Sequence, residues 1–176
     1  FLMSLGGLKS QLGISCYKYL ELALHLPSAL IFAFFLMFEL RHCWLLVGTS
    51  RHFFFVFIFL ADLITAVIYL FVPRVGFIPL WVGFLITGLM ILISSTVSWQ
   101  EDNNLSIKKS LFMGFLQAVS LQPGISRLAL TYLTGRVVGF SKECSLFVSL
   151  SLAIPLFIGG GLKGLYGILT HKACYN

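Results

Sequence analysis

Three predominantly apolar stretches, residues 20–40, 53–72 and 78–98, each run for about the 20 residues that carry an α-helix across roughly 30 Å of hydrocarbon. No other feature constrains the fold as strongly, because inside a bilayer every backbone N–H and C=O must be satisfied within the chain, as a helix does. A fourth stretch, residues 146–162, is slightly shorter and ends in glycines. The composition agrees: 59% of residues are hydrophobic, 10% are charged and the mean hydropathy is +0.98, outside the range of soluble domains. The expected fold is an all-α, polytopic transmembrane bundle. It comprises three transmembrane helices within residues 20–98, a re-entrant broken helix pair at 107–138 and a transmembrane helix at 144–166. Together these make one partial membrane domain over residues 1–176. The first residue is Phe1, no secretory signal pattern can be read at that end, and the tail HKACYN follows directly on an apolar stretch, so a trimmed chain is expected.

Cys16, Cys43, Cys144 and Cys174 are scattered and form no C-x-x-C pair. They read as small apolar fillers rather than zinc ligands or a disulfide framework. The net charge of +6 comes from basic residues dispersed at loops and helix ends. Anionic lipid headgroups explain that better than nucleic acid does. Arg41 and Arg51 flank one loop, and Lys108 and Lys109 follow another on the same side, so both loops would be cytoplasmic by the positive-inside rule. Lys9, Lys18 and Arg74 oppose that assignment and keep the margin small.

The polar connector WQEDNNLS, residues 99–106, divides the chain. After it, Ile107, Leu111, Phe115 and Val119 recur at helical spacing over residues 107–121, a helix of only about 22 Å, too short to span. Pro123 removes a backbone donor and Gly124 permits unusual dihedrals, so the helix should stop there. A second helical run, residues 126–138, begins at once. Half-helices broken at membrane depth are tolerated where they are buried in protein or line a wet cavity, and they mark binding sites.

The break reads QPGISRLALT, residues 122–131. Ser126 is placed to cap the second half-helix, whose free amides and positive dipole end favour an anion. Arg127 adds a planar fork of donors that matches phosphate, and Thr131 and Thr134 follow on one face. The alternative is an arginine that snorkels to the headgroups or pairs with a carboxylate such as Asp62 or Glu21. Asp62, in the middle of an apolar run, is itself a candidate for a site or for a buried pairing. Glu21 and His25 share a face near the end of their span, where interfacial solvation would satisfy them. The triple glycine at 159–161 reads as close helix packing or a bend.

The stretch LFMGFLQAVSLQPGISRLALTYLTGRVVGFSKECSLFVSLSLAIPLFIGGGL, residues 111–162, closely resembles the undecaprenyl-diphosphatase family, the bacitracin-resistance proteins, with its P-G-x-S-R-S-G-A-T motif. The run YLELALHLPSALIFAFFLMFELR is similar to that family's F-E-x-x-I-Q-L-G-A-I-L-A-V helix. Pro123, Gly124, Ser126, Arg127 and Thr131 match, whereas Leu128, Ala129 and Leu130 stand where the family has serine, glycine and alanine. His25 and Pro27 replace a glutamine and a glycine, and Thr65 replaces a proline. Nothing in FLMSLGGLKSQLGIS matches the family's glutamate-rich stretch leading to P-V-S-S-T-G-H, which would supply the carboxylate, serine and histidine of hydrolysis.

The resemblance implies hydrolysis of undecaprenyl diphosphate to the monophosphate, recycling the lipid carrier for peptidoglycan synthesis and conferring bacitracin resistance. Arg127 and Ser126 would be catalytic, and Gly124, Ser126, Arg127 and Thr131 would bind the diphosphate. It also implies a divalent cation, Mg or Ca, for which no ligand residue is identified, and a multi-pass location in the bacterial plasma membrane with an extracytoplasmic opening. A homodimer is compatible with the sequence. Two other functions stay open: a polyprenyl-phosphate transporter or flippase, and an inactive remnant of the phosphatase.

Overall fold

The computed structural model describes residues 14–38, 51–71, 79–96, 102–122 and 124–170. Every regular element among them is an α-helix. In chain order these are α1 (Ile14–Ala23), α2 (His25–Phe38), α3 (Arg51–Phe71), α4 (Leu80–Thr96), α5 (Ile107–Val119), α6 (Arg127–Val137) and α7 (Lys142–Thr170). Two compact units are present, Phe1–Phe34 with Ile154–Asn176, and Phe35–Ala153.

In the first unit, the stretch expected as one span is two helical segments that meet at Leu24. Pro27 accounts for the join. It has no N–H to give the Ala23 carbonyl four residues back, and its ring crowds that carbonyl. In the first turn of α2, by contrast, it is tolerated. On α7, Gly164 lies against the backbone of Tyr19 and Ala23 so closely that a Cβ would collide with both. Of the triple glycine, Gly161 alone makes such a contact, against Leu26; Gly159 meets nothing within 4 Å. His25 stacks on Phe157 with centroids 4.9 Å apart and planes 8° apart, so it is a packed ring of this unit. Glu21 is exposed here as well.

The second unit holds the broken pair. The polar connector is tied down by its own turn formers: the Asn104 N–H donates to Asp102 Oδ1 (3.2 Å), and Asn103 Oδ1 accepts from the Ser141 N–H (2.8 Å). Lys109 Nζ bonds Asp102 Oδ2 at 2.9 Å and sits 4.9 Å from the centre of the Phe140 ring. Its hydrogen bond holds the Asp102 carboxyl below the usual carboxylate range. Ser106 caps α5 by accepting from the Lys109 N–H (3.3 Å).

Along its length α5 lies on α3 at small residues. A Cβ on Gly114 would strike the Ala61 backbone, so the two main chains are in contact. That approach brings Ser110 Oγ to donate to the Phe57 carbonyl (2.6 Å) and Thr65 Oγ1 to donate to the Gly114 carbonyl (3.0 Å). Phe54 and Phe147 fill the adjoining core with centroids 5.2 Å apart.

Among the described residues, three helical stretches are long and apolar enough to cross a membrane: Lys18–Phe38, His52–Phe71 and Lys142–Thr170, of 21, 20 and 29 residues. The last extends well beyond the expected 144–166, and Pro155 lies inside it without ending it. At 17 residues, α4 is about 25 Å long, slightly short of the hydrocarbon thickness. The 13 residues of α5 and 11 of α6 are far too short, as expected of half-helices. Leu70, Phe71 and Trp81 are 78%, 81% and 69% exposed, an arrangement stable only where the solvent is lipid.

Candidate anion site at the helix break

The turn between α5 and α6 is set by Gly124, whose φ of 83° lies in the left-handed region that only glycine enters readily. A side chain there would also meet the Leu80 carbonyl of α4. Thr87 of α4 clamps the turn from two sides. Its Oγ1 donates to the Gly124 carbonyl (3.1 Å) and accepts from the Ser126 N–H (2.9 Å). Pro123 lies outside the described residues.

Ser126 is the N-cap of α6, in extended conformation (φ −72°, ψ 118°), and its Oγ accepts from the Ala129 N–H at 3.4 Å. Two donors at this helix end are therefore already engaged, that of Ser126 by Thr87 and that of Ala129 by the cap. Thr131 and Thr134 do not form a polar stripe facing a gap. Both are buried and donate to their own helix, Thr131 to the Arg127 carbonyl (2.9 Å) and Thr134 to the Leu130 carbonyl (2.7 Å). A hydroxyl in an apolar helix satisfies its proton most cheaply on the carbonyl one turn back.

Arg127 opens α6 and is only partly exposed. Gln117, fully buried near the end of α5, donates from Nε2 to Asp62 Oδ1 at 3.0 Å. Both residues follow from the backbone contact below them. Asp62 is next to Ala61, and Gln117 is three positions beyond Gly114. The second oxygen of Asp62 and the amide oxygen of Gln117 are buried without a hydrogen-bond partner.

Gln117 had no role in the sequence reading. Its signal was a lone amide in an apolar helix, three residues from a glycine. Arg136 is likewise buried, its Nη1 donating to the Phe140 carbonyl (2.6 Å) at the C-terminal end of α6, where a cation is favoured.

A largely apolar cavity of about 500 Å³ begins at Ser126 and continues past Leu128, Ala129 and Tyr132 to Lys142, with Ile91 and Leu146 on its walls. Leu128 and Ala129, two of the positions where this chain is bulkier than the pattern it resembles, thus line the space beside the turn.

Such an arrangement, a helical protein with long apolar helices and a clamped break that presents an arginine, defines a polytopic membrane protein with a candidate anion site. The chain belongs to the bacitracin resistance protein BacA family, whose model matches residues 8–174. Among curated relatives it is 35% identical over 88 residues to the undecaprenyl-diphosphatase of Arthrobacter sp. (strain FB24), covering 49% of this chain and 31% of that protein. It is 35% identical over 90 residues to that of Thermosipho melanesiensis, covering 51% and 36%, and 37% identical over 87 residues to that of Methanobrevibacter smithii, covering 48% and 31%. The matched stretch spans about a third of the length of these relatives. No solved structure matches the chain.

Proposed function

We propose that the protein is a membrane phosphohydrolase that releases phosphate from undecaprenyl diphosphate, returning the monophosphate carrier to cell-wall synthesis and conferring resistance to bacitracin in a bacterial plasma membrane. Family membership and the names of the relatives support the reaction. The single observation that carries the assignment to this chain is the Arg127 guanidinium at the first position of α6, directly after a turn that Gly124 and Thr87 hold in place.

Phosphoryl transfer asks a protein mainly for positioning and for charge stabilisation on the equatorial oxygens. Arg127 supplies a fixed positive charge in fork geometry, and the N-terminal end of α6 adds its dipole. A polyprenyl tail finds apolar surface in the cavity that starts at Ser126. The family resemblance also brings a divalent cation. Among the described residues no three metal-ligating side chains come together, and no ligand is assigned to it. The charge stabilisation assigned to this chain is that of Arg127.

Arg127→Ala, assayed in membranes as phosphate release from a polyprenyl diphosphate, should lose about 100-fold or more in turnover, the scale for removing one preorganised charge stabiliser. Near-normal turnover by a folded Arg127→Ala protein would refute the assignment.

A further inference from the structure

Two buried oxygens at the seam between α3 and α5 have no donor. Gln117 is fully buried and gives its Nε2 proton to Asp62 Oδ1 at 3.0 Å, yet Gln117 Oε1 and Asp62 Oδ2 are both without a hydrogen-bond partner. Buried polar atoms are nearly always satisfied, so each exception asks for a cause. Here the two exceptions belong to the two side chains that already share a bond. An ionised carboxylate is acceptor-only and has nothing to offer an amide oxygen. Turning the amide over does not help, because oxygen would then face oxygen. A protonated carboxyl carries one O–H donor, and a proton on Oδ2 given to Oε1 satisfies both atoms at once. The phenylalanine, leucine and isoleucine around position 62 in α3 favour that neutral form, since a charge buried among them loses its water.

We propose that Asp62 stands as a neutral carboxylic acid paired edge to edge with the Gln117 amide, and that this pair positions the end of α5 ahead of the helix break. Gln117 lies in the last turn of α5, and its carbonyl accepts from Ser120 Oγ at 2.6 Å, directly before the turn. From there the Gln122 carbonyl accepts the Ile125 N–H (3.3 Å), and Thr87 holds Gly124 and Ser126. Loss of the proton would set a carboxylate oxygen against the amide oxygen and loosen α5 from α3 where the turn begins. The ionisable residues of α3 are Arg51, His52 and Tyr69, all toward its two ends, and those of α5 are Lys108 and Lys109 at its start. On α6, Arg136 bonds the Phe140 carbonyl, and Arg127 is the cation that would balance a carboxylate at position 62 if the proton were absent. The pairing itself needs no particular reaction at the break.

The test uses the protein in detergent micelles. Asp62→Asn offers Gln117 the same donor and acceptor with no proton to lose. The folded wild type holds a proton that the unfolded chain releases at about pH 4. Its stability is therefore full in acid and falls as pH rises until the folded pair ionises, while that of Asp62→Asn stays level. Asp62→Asn should thus melt above wild type at neutral pH, the gap opening by about 3–5 °C per pH unit above about pH 4. An infrared difference spectrum between the two at neutral pH should show the carbonyl stretch of a protonated carboxyl. Pyrophosphate binding should be kept by Asp62→Asn and weakened about ten-fold by Asp62→Val and by Gln117→Leu, each of which leaves one side of the pair unmade. An Asp62→Asn protein that fails to fold or melts below wild type at neutral pH overturns the proposal. So does a carboxylate band in the difference spectrum, which would give the two oxygens to a cation instead. Undiminished pyrophosphate binding by Asp62→Val or Gln117→Leu overturns the part of the pair in positioning the break. Binding that survives Arg127→Ala refutes the role of Arg127 and leaves the acid and amide pair standing.

Discussion

Gly114→Ala tests the contact on which the site stands. The added methyl would meet the carbonyl oxygen, Cα and carbonyl carbon of Ala61, all backbone atoms that cannot swing aside, so α3 and α5 must part. Three side-chain hydrogen bonds cross that seam, Ser110 to Phe57 at 2.6 Å, Thr65 to Gly114 at 3.0 Å and Gln117 to Asp62 at 3.0 Å. Moving α5 outward by the roughly 1 Å that restores van der Waals contact stretches the last two past hydrogen-bond length. Each is worth about 1 kcal/mol net, and overpacking adds about 1–3 kcal/mol. Alanine returns about 1 kcal/mol over glycine in helix propensity, too little to win. The net loss is about 2–4 kcal/mol, or roughly 5–15 °C in Tm for a chain of this size. Thermal unfolding in detergent, followed by far-ultraviolet circular dichroism, measures it. Gly159→Ala is the control, since nothing lies within 4 Å of that position; it should melt at or slightly above wild type. A Gly114→Ala protein as stable as wild type would show that the helices do not meet there and would undercut the placement of Gln117 beside Asp62.

Thr87→Val removes both bonds that fix the turn and leaves the Gly124 carbonyl and the Ser126 N–H without their partner. Pyrophosphate binding should weaken about ten-fold, equivalent to about 1.4 kcal/mol, and undiminished binding would separate the clamp from the site. The Asp102 carboxyl, held low by Lys109, contributes stability that is present above the ordinary carboxyl pKa of about 4 and fades as pH falls through its own lower value. The stability gap between wild type and Asp102→Asn should therefore be constant near neutrality and close in acid; a gap independent of pH would remove Lys109 from that role.

The helices were legible because each is decided by local chemistry. Runs of apolar residues long enough to span, and runs too short to do so, can be counted along the chain, and the turn at Gly124 follows from the one residue type that enters positive φ. The Ser126 cap was readable for the same reason. The join at Leu24 was also written in the sequence, as Pro27, and was missed because the hydropathy of residues 20–40 is unbroken across it.

The sequence by itself determined that this chain is a helical membrane protein with an arginine at the start of a half-helix, since spans, breakers and caps depend on neighbours within about one turn. It left open what Asp62 bonds, and it assigned Gln117 no part. Asp62 and Gln117 stand 55 positions apart, and their hydrogen bond exists because Ala61 and Gly114 allow two backbones to touch. Only the tertiary structure decided that Asp62 has Gln117 as its partner, because a contact between distant residues is set by how closely two helices can approach and not by the pattern along either one.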